Sequence, residues 1–308
     1  MYDVIIIGGG AAGLSAAVYT TRFKLKTLII ANIPGGLVSE AYKVENYLGF
    51  ISIPGHELVE KFLKHAKAFG AEMIQGRKVV KIEKIKDGFK VTTGSKESYE
   101  GKTLILAHGL KRRKLNVPGE KELSGKGVSY CVACDAFLFR DKVVAVIGGG
   151  NSAVTGALQS SELAKKVYII YRRNKLRADP IWIEKVLSKP NIEVIYKTNV
   201  VEIKGKDNLE QVVLDNVYNV YKGSKTLDLD GLFIEIGFIP DNSLSNQIGI
   251  ETDEKGLIKI RQDCSTNING VFAAGDATNG SNNIEQIVTA TAEGTIAAFS
   301  VYFYLKGG

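Results

Sequence analysis

Two glycine-rich turns, each placed between an apolar strand and a helix-forming segment, constrain the fold of this 308-residue chain more than any other feature. The first turn follows the β-branched apolar run at residues 3–7 and has the pattern G-x-G-x-x-G over residues 8–13. In such a pattern the first glycine permits a tight turn, the second lets backbone amides approach a pyrophosphate, and the third lets the helix pack closely on the strand. The order of strand, glycines and helix therefore predicts a dinucleotide-binding module.

The same order recurs in the middle of the chain, where the strand at residues 142–147 leads into a second turn at residues 148–153. The next strand, at residues 166–171, is followed by Arg172, Arg173 and Arg177. A guanidinium group can hold a phosphate through two hydrogen bonds, so these arginines predict the 2′-phosphate of NADPH, whereas an acid would favour NADH. The alternative is a solvated basic turn. In the first module the corresponding strand ends at Ala31-Asn32 instead of an acid, which leaves open how an adenosine ribose is held.

A short apolar strand near the C-terminus ends at Gly275-Asp276, and a helix is expected from about residue 284 to 305. A carboxylate at such a strand end can accept hydrogen bonds from a flavin ribityl chain, and the start of the helix can stabilise negative charge on the reduced ring. This segment would complete the first module after an inserted second one. The expected fold class is α/β with two Rossmann-like domains, residues 1–113 and 241–308 binding FAD and residues 114–240 binding NADPH.

The cysteine pair Cys131 and Cys134, followed by Asp135, lies just upstream of the second turn. Cysteines at C-x-x-C spacing can close a small, strained disulfide that cycles readily between its oxidised and reduced forms. A zinc site would need further clustered ligands, but the remaining Cys264 and the three histidines are scattered. Two ordinary buried thiols are the other alternative. Beside two dinucleotide sites, the pair indicates an electron relay from nicotinamide through flavin to sulfur, and Cys264 is expected to be a bystander.

The composition fits a protein of the cytoplasm. With only 3 cysteines the chain has no disulfide framework, so a reducing compartment is expected. The apolar start lacks the basic region of a signal peptide, and no apolar run is long enough to span a bilayer. The net charge of +7 is dispersed, and no nucleic-acid-binding motif accompanies it. The one dense basic run, residues 111–114, is interpreted as a solvated hinge, with attraction of an anionic cofactor or an acidic partner as the alternative.

Taken together, these motifs and the segments at residues 35–37 and 44–47 resemble the low-molecular-weight thioredoxin reductase family over essentially the whole chain. The resemblance implies FAD and NADPH as cofactors, a homodimer, and a thioredoxin-like or glutaredoxin-like protein substrate, with no nucleic acid or membrane partner. The residues expected to contact FAD are Gly8, Gly10, Ala11, Ala12, Gly13, Asn32, Gly35, Gly36, Leu37, Asn46, Val79, Ala107, His108, Gly109, Gly275, Asp276, Glu285, Gln286 and Ile287. Those expected to contact NADPH are Gly148, Gly150, Asn151, Ser152, Ala153, Arg172, Arg173, Arg177, Ile236 and Gly237.

Several positions depart from the usual pattern of that family. They are Ala136 in place of glycine, His108 in place of threonine, Tyr171 in place of histidine, Thr155-Gly156 in place of paired glutamates, and Glu285-Gln286 in place of Arg-Gln. None of these changes removes a chemical group that the mechanism needs. Those near the nicotinamide site leave the preferred electron donor open.

The family resemblance also implies roles for the three residues of the redox motif. Cys134 would lie nearest the flavin, Cys131 would attack the substrate disulfide, and Asp135 would protonate the departing thiolate. Because the cysteine pair and the nicotinamide must both reach one flavin ring, the inserted module is expected to rotate between two orientations, with hinges near Arg113-Lys114 and residues 238–241. The competing interpretations are a related NADPH oxidase or ferredoxin–NADP reductase, which needs no cysteine pair, and a non-enzymatic nucleotide sensor.

Overall fold

The computed structural model describes residues 1–216 and 224–307. The chain divides into two compact units, one made of Met1–Lys111 with Pro240–Gly308 and the other of Arg112–Ile239. The expected boundaries at residues 113/114 and 240/241 differ from these by one or two residues. Arg112 and Arg113 group with the inserted unit because the Arg112 guanidinium lies 3.3 Å from a Glu235 carboxylate oxygen and the Arg113 amide donates to the Gly237 carbonyl over 3.0 Å.

The secondary-structure elements are numbered along the chain. The strands are β1 (Tyr2–Ile7), β2 (Thr27–Ala31), β3 (Glu72–Gln75), β4 (Val79–Ile85), β5 (Gly88–Thr93), β6 (Ser98–Leu106), β7 (Leu110–Arg112), β8 (Val128–Ser129), β9 (Val143–Ile147), β10 (Lys166–Tyr171), β11 (Ile192–Tyr196), β12 (Val200–Lys204), β13 (Gln211–Leu214), β14 (Thr226–Asp228), β15 (Gly231–Ile234), β16 (Phe238–Pro240) and β17 (Val271–Ala273). The α-helices are α1 (Ala11–Arg22), α2 (Gly55–Ala68), α3 (Val132–Asp135), α4 (Asn151–Ser161), α5 (Pro180–Leu187) and α6 (Ile287–Lys306).

The first unit is built on one mixed sheet whose parallel part has the order β3-β2-β1-β6-β17. Strand β1 pairs in parallel with β2 on one side and with β6 on the other. Its residues Val4, Ile5 and Ile6 are fully buried, as expected of a strand covered on both faces. The long strand β6 serves two neighbours on its other side, β17 in parallel at its carboxyl end and β5 antiparallel at its start. The C-terminal segment therefore completes the sheet that the N-terminal segment begins.

Helices α1 and α6 pack directly on each other in the first unit. Gly294 of α6 makes this possible, because a β-carbon there would lie 2.1 Å from the Ala12 carbonyl oxygen. Nearby, the Ser15 hydroxyl donates to the Thr291 carbonyl over 2.8 Å. The close crossing joins the helix after the first glycine turn to the helix that follows Gly275-Asp276, and so fixes both helix starts in one module.

The inserted unit has its own parallel sheet, in the order β11-β10-β9-β15-β8. A separate antiparallel sheet of β12, β13 and β14 adjoins it. The core of this unit contains Val144, Val146, Ile169 and Phe233, all fully buried. Among the described residues no helix has both the length and the apolar character needed to cross a membrane.

Candidate active site and nucleotide sites

The first glycine turn is held by backbone contacts that exclude larger residues. Gly8 has φ +114°, and a β-carbon there would lie 2.1 Å from the Ala107 carbonyl oxygen. A β-carbon on Gly13 would lie 2.0 Å from the Gly8 carbonyl oxygen. Gly10 is different, since the nearest atom to its hypothetical β-carbon is the Gly35 carbonyl oxygen at 4.0 Å. Open space therefore remains beside Gly10, where a pyrophosphate needs to approach the backbone.

Helix α1 presents an uncapped N-terminus to this space. Its N-cap residue is Gly10, which makes no side-chain hydrogen bond. Ala11 and Ala12 form the first turn and are buried. The free amides of a helix start, together with the helix dipole, bind anionic phosphate. The geometry thus suits the pyrophosphate that the sequence predicts here.

The loop after β2 returns to the same turn. The Gly35 amide donates to the Gly9 carbonyl over 2.7 Å, and Gly35 and Gly36 have φ of +84° and +55°. Leu37 lies in the short 3₁₀ helix that follows, and Asn32 is exposed just beyond the end of β2. The structure therefore brings the loop around Gly35 to the glycine turn, and the assignment of Asn32 and Leu37 to the FAD site stays a prediction.

Strand β6 ends at the opposite side of the glycine turn. The Ala107 amide donates to the Ile7 carbonyl over 2.8 Å, and Gly109 adopts φ +67°. The Nδ1 atom of His108 lies 3.1 Å from the Gly109 carbonyl oxygen. Its Nε2 atom is buried without a hydrogen-bond partner among the described residues. Burial lowers the pKa of the His108 imidazole, so the ring is neutral at pH 7.

Asp276 lies shortly after β17, and its carboxyl pKa is well above the ordinary value. Its pKa is raised to about 6, first by burial and then by the charges of Glu285 and Glu293. It lines a small pocket together with Gly275, Glu285 and Thr289. A carboxylate with this pKa is mostly ionised at pH 7 and can accept hydrogen bonds from polyol hydroxyls, which is the chemistry expected at a ribityl chain.

Glu293 is a buried residue that sequence reasoning missed. Its carboxylate accepts hydrogen bonds from the Gly275 amide at 2.8 Å, from the Thr278 hydroxyl at 2.9 Å and from the Ser281 hydroxyl at 2.7 Å. It thereby holds the loop that carries Asp276 against α6. A glutamate in the middle of an apolar helical segment was the available signal, because acids are rarely fully buried unless they are hydrogen-bonded.

Gln286 caps helix α6 and reaches a distant loop. Its side chain accepts from the Thr289 backbone, and the Thr289 hydroxyl accepts from the Gln286 amide in return. The Asn46 side-chain amide donates to the Gln286 side-chain oxygen over 2.9 Å. Ile287 is the first residue of α6, so the helix begins three residues later than expected. Asn46, Gln286 and Ile287 are therefore neighbours, although 240 positions separate the first two in the chain.

Val79 stands apart from the rest of the proposed FAD contacts. It is the first residue of β4, its side chain is buried, and it is part of the hydrophobic core on that face of the sheet. Any contact with a cofactor would therefore be made by its backbone, and its assignment stays a prediction.

The second glycine turn repeats the geometry of the first. Gly148 has φ +140°, and a β-carbon there would lie 2.1 Å from the Glu235 carbonyl oxygen. Nothing lies within 4 Å of a hypothetical β-carbon on Gly150, which is the N-cap residue of α4 and makes no side-chain hydrogen bond. Asn151 and Ser152 are exposed in the first turn of that helix, and Ala153 is buried behind them.

The arginine loop after β10 is fastened to this turn. The Arg177 amide donates to the Gly149 carbonyl over 2.7 Å, and the Asp179 amide donates to the Asn151 side-chain oxygen over 2.8 Å. Arg172, Arg173 and Arg177 are all exposed. The loop thus brings exposed guanidinium groups beside an uncapped helix start, which is a fitting arrangement for a phosphorylated nucleotide.

The segment after β15 lies beside the same turn. The Glu235 amide donates to the Ile147 carbonyl over 2.9 Å. Ile236 is half-buried and Gly237 is exposed with φ +92°. These positions correspond to those of Ala107, His108 and Gly109 in the first module.

Cys131 and Cys134 are joined by a disulfide, with their Cα atoms 5.3 Å apart. Cys131 is half-buried and Cys134 is exposed. The Cys134 amide lies 3.2 Å from the Cys131 sulfur, which places an N–H donor where a thiolate would carry its charge after reduction. Among the described residues, no three or more histidine, cysteine, aspartate or glutamate side chains are grouped so that they could hold a metal ion. Cys264 is buried elsewhere, and burial raises the pKa of its thiol to about 12.

Asp135 is connected to Cys131 through Ser129, which sequence reasoning did not single out. The Ser129 hydroxyl donates to the Asp135 carboxylate over 2.6 Å and accepts from the Cys131 amide over 3.0 Å. The acid is therefore held beside the cysteine pair by a neighbouring residue of β8. The structure thus fixes a titratable carboxyl group beside the disulfide.

The redox loop rests on the helix that follows the second glycine turn. Val132 is buried against Gly156 of α4, where a β-carbon would lie 2.9 Å from the Val132 side chain. Gly156 is one of the positions where the chain departs from the family pattern, and this contact is its physical reason. Ala136, another departure, is also buried. The disulfide and the second nucleotide turn thus belong to one unit.

The residues of both turns fit the cofactors that the sequence predicts. Each turn has open space at its middle glycine and an uncapped helix start beside it. The first turn is accompanied by the half-buried Asp276 and by the Nε2 atom of His108, which has no hydrogen-bond partner among the described residues. The second is accompanied by exposed arginines. A polyol-bearing dinucleotide suits the first set, and a dinucleotide with an additional phosphate suits the second.

The fold and the sites together define a two-module nucleotide-binding oxidoreductase with a redox disulfide. Residues 2–294 match the family model described as pyridine nucleotide-disulphide oxidoreductase, and the chain belongs to this family. It is 42% identical to the thioredoxin reductase of Bacillus subtilis (strain 168), over 99% of this chain and 95% of that protein.

Two solved structures are similar over nearly their whole length. Lactococcus lactis thioredoxin reductase in the FR conformation has a TM-score of 0.91 at 37% identity and covers 100% of both chains. The T. acidophilum thioredoxin reductase has a TM-score of 0.89 at 39% identity, covering 98% of this chain and 97% of that one. The expected fold class, the resemblance to thioredoxin reductases and the enzyme class are confirmed. The enzymes of this family use FAD and NADPH, and the chain is a flavoprotein oxidoreductase of this class.

Proposed function

We propose that this chain is an NADPH-dependent thioredoxin-disulfide reductase, with the first unit binding FAD and the inserted unit binding NADPH and carrying the redox pair. The observation that carries the proposal is the Cys131–Cys134 disulfide, in a loop whose Val132 packs on Gly156 of α4, the helix that follows the second glycine turn. Neither an NADPH oxidase, a ferredoxin–NADP reductase nor a nucleotide sensor needs such a pair. The similarity to thioredoxin reductases over the whole chain supports the same substrate class.

The proposed nucleotide contacts derive from the two turns. In the first unit, the amides at the start of α1 and the carboxylate of Asp276 would hold FAD, with the loops around Gly35, Ala107 and Gln286 completing the site. In the inserted unit, the start of α4 and the arginines after β10 would hold NADPH, with Ile236 and Gly237 alongside. When bound, FAD supplies a two-electron relay between a nicotinamide and a disulfide.

The residues of the redox motif manage sulfur and protons. Two electrons and two protons convert the Cys131–Cys134 disulfide to two thiols. The Cys131 thiolate attacks the disulfide of oxidised thioredoxin, forming a mixed disulfide and releasing one substrate thiolate. Cys134 then attacks Cys131, which re-forms the internal disulfide and releases the second substrate thiolate. Asp135, fixed by the Ser129 hydroxyl, would donate a proton to the cysteine thiolate that departs when the internal disulfide is reduced.

The substitution Asp135→Asn tests the proton step. We expect reduction of the cysteine pair to slow by about 100-fold, the lower end of the typical contribution of a positioned acid, with FAD still bound. Asp207→Asn, at an exposed acid of the same unit, is the matched control. Stopped-flow absorbance of the flavin measures both. Unchanged kinetics in Asp135→Asn would remove this residue from the mechanism.

The overall activity is tested by anaerobic titration with NADPH, followed by addition of oxidised thioredoxin. We expect NADPH to bleach the flavin absorbance and thioredoxin to restore it. The double variant Cys131→Ser, Cys134→Ser should still be bleached by NADPH but should fail to transfer electrons to thioredoxin. Transfer that survived in the double variant would favour the oxidase or the ferredoxin–NADP reductase instead.

The quaternary structure and location belong to the same proposal. We expect a homodimer in the cytoplasm, acting on a thioredoxin-like or glutaredoxin-like protein and not on nucleic acid. Two cations of the basic run lie close to acids, Lys111 3.8 Å from Asp241 and Arg112 3.3 Å from Glu235, which favours a structural role for that run. Sedimentation measurements test the homodimer. Rotation of the inserted unit also stays a prediction, and cross-linking that locks one orientation tests it.

A further inference from the structure

The side chain of Tyr171, at the end of β10, makes a specific contact with the arginine loop. Its hydroxyl accepts a hydrogen bond from the Nε atom of Arg177 over 2.9 Å. The tyrosine is 5% exposed, whereas Arg177 is exposed. A buried, rigid ring therefore holds one nitrogen of a guanidinium group that is otherwise directed to solvent.

The ring of Tyr171 lies over the second glycine turn. A β-carbon on Gly149 would lie 2.5 Å from the Cζ atom of Tyr171, so only glycine leaves room for the ring. The carbonyl of the same Gly149 accepts from the Arg177 amide over 2.7 Å. Arg177 is thus attached to the turn twice, through its backbone directly and through its side chain by way of Tyr171.

The contact leaves the phosphate-binding edge of Arg177 available. A guanidinium has five N–H donors, and Tyr171 uses only the one on Nε. The two terminal nitrogens keep the paired donors that bind a phosphate bidentately. Fixing such a long side chain in advance reduces the rotamer entropy that is lost when the anion binds.

The glycine turn of the first module can be compared with the second, because it has the same framework without a tyrosine–arginine contact. There the strand corresponding to β10 ends at Ala31, and the backbone donor to the turn is the amide of Gly35. A β-carbon on Gly9 would meet the Ala31 β-carbon at 2.6 Å, just as one on Gly149 would meet the Tyr171 ring. The framework is the same, but no cation is placed beside the glycine turn by this residue pair.

We propose that Tyr171 is a positioning residue that selects a 2′-phosphorylated nucleotide by holding Arg177 beside the second glycine turn. The inference rests on the proposed assignment of the inserted unit to NADPH. It does not depend on the identity of the protein substrate.

The experiment measures binding of two small probes, 2′,5′-ADP and 5′-AMP, to the purified holoenzyme by calorimetry. Tyr171→Phe keeps the ring over Gly149 and removes only the hydroxyl. We expect it to weaken the binding of 2′,5′-ADP by about tenfold, which is the size of a hydrogen bond to a charged group. The affinity for 5′-AMP should change by no more than about twofold. The KM for NADPH should rise while that for NADH stays constant.

Two further variants separate the possible failures. Tyr168→Phe, on the same strand but on its opposite face, should leave binding of both probes unchanged. Arg177→Ala should weaken 2′,5′-ADP at least as much as Tyr171→Phe does. If Arg177→Ala has no effect, the proposed NADPH site is wrong and the inference is overturned with it. If Arg177→Ala weakens binding but Tyr171→Phe does not, or if Tyr171→Phe weakens both probes alike, the role of Tyr171 alone is overturned.

Discussion

The two glycine turns of this protein share a backbone framework and differ in the side chains placed on it. In the first module the Gly8 amide donates to the Ile30 carbonyl over 2.9 Å, and in the second the Gly148 amide donates to the Ile170 carbonyl over 3.1 Å. Both turns end in an uncapped helix start. The common framework provides a pyrophosphate site in each module.

The difference lies in the loop that comes after the second strand of each module. Gly35 approaches the first turn with no side chain, whereas Arg177 approaches the second with a guanidinium that Tyr171 holds. The first module instead concentrates carboxylates near Asp276. One fold can therefore bind two dinucleotides with different substituents, because the substituents are recognised by side chains and the pyrophosphate by the backbone.

The largest expected effect comes from removing the buried carboxylate of Glu293, on α6 of the first module. Glu293→Ala would leave the Gly275 amide and the Thr278 and Ser281 hydroxyls without their acceptor. We expect a loss of about 4 kcal/mol in the free energy of unfolding and loss of bound flavin. Chemical denaturation and flavin absorbance measure the two effects. Glu293→Gln, which keeps one carbonyl acceptor, is the control, and its free energy of unfolding should fall clearly less. An equal fall would show that the shape of the side chain matters and its hydrogen bonds do not.

A second experiment exchanges the residues at the third fingerprint position. Gly13→Ala would place a β-carbon 2.0 Å from the Gly8 carbonyl oxygen, and we expect it to cost about 3 kcal/mol and weaken FAD binding. Ala153→Gly, at the corresponding position of the second module, should cost only about 1 kcal/mol through helix propensity. Thermal unfolding with flavin fluorescence compares them. If the two substitutions lowered stability equally, the helix would pack equally closely on the strand in both modules.

The raised pKa of Asp276 should give the first module a pH-dependent contribution to stability. The pKa of Asp276 in the folded protein is about 6, against 3.8 in the unfolded chain. Folding therefore favours the protonated form, so this residue's contribution to stability is fully present below about pH 4 and is lost as the pH rises to 6. Allowing for partial exposure, the loss is about 2 kcal/mol.

The variant Asp276→Asn isolates this contribution. Its stability relative to the unmodified protein should increase between pH 4 and pH 6 and stay constant above that range. Asp263→Asn is a suitable comparison, because hydrogen bonds to Ser265 contribute to lowering the pKa of Asp263 below 3.8. Its slope should have the opposite sign and should appear only below about pH 4. Denaturation midpoints measured from below about pH 4 to above about pH 6 cover both windows. A flat difference for Asp276→Asn would contradict the raised pKa.

The smallest expected effect concerns the open glycine of the second turn. Gly150 has φ −93°, which any residue can adopt, and nothing lies within 4 Å of an added β-carbon. Gly150→Ala should therefore leave the unfolding free energy almost unchanged. If the pyrophosphate occupies this space, as we propose, Gly150→Ala should weaken binding of NADPH and of NADH alike by about tenfold. Selective loss of NADPH alone would place the 2′-phosphate, and not the pyrophosphate, at this glycine.

Much of the site could be predicted from the sequence because its signals are local. The glycine turns, the arginines after β10 and the C-x-x-C pair each lie within a few residues, so their spacing defines their geometry. The strand β17 and Asp276 could also be placed in the first module from the order of elements alone. The exact start of α6 could not, since it depends on the reciprocal capping of Gln286 and Thr289.

The remaining contacts could not be predicted because they join distant or unpatterned residues. Asn46 meets Gln286 across 240 positions, and Glu293 reaches back 18 positions to Gly275. Ser129 is close in sequence to Asp135, but serine before a cysteine pair has no distinctive spacing. The contact of Gly156 with Val132 explained a departure from the family pattern only after packing was known.

The sequence by itself determined the two nucleotide modules, the redox pair and the order in which one module interrupts the other, because these depend on glycines, strands and cysteines that act over short distances. The tertiary structure alone decided which side chains complete each site. The Tyr171–Arg177 and Glu293–Gly275 contacts depend on where strand ends and helix faces meet after packing. Residue spacing is therefore enough to predict the modules and the redox pair, whereas the contacts that complete each site appear only in the packed chain.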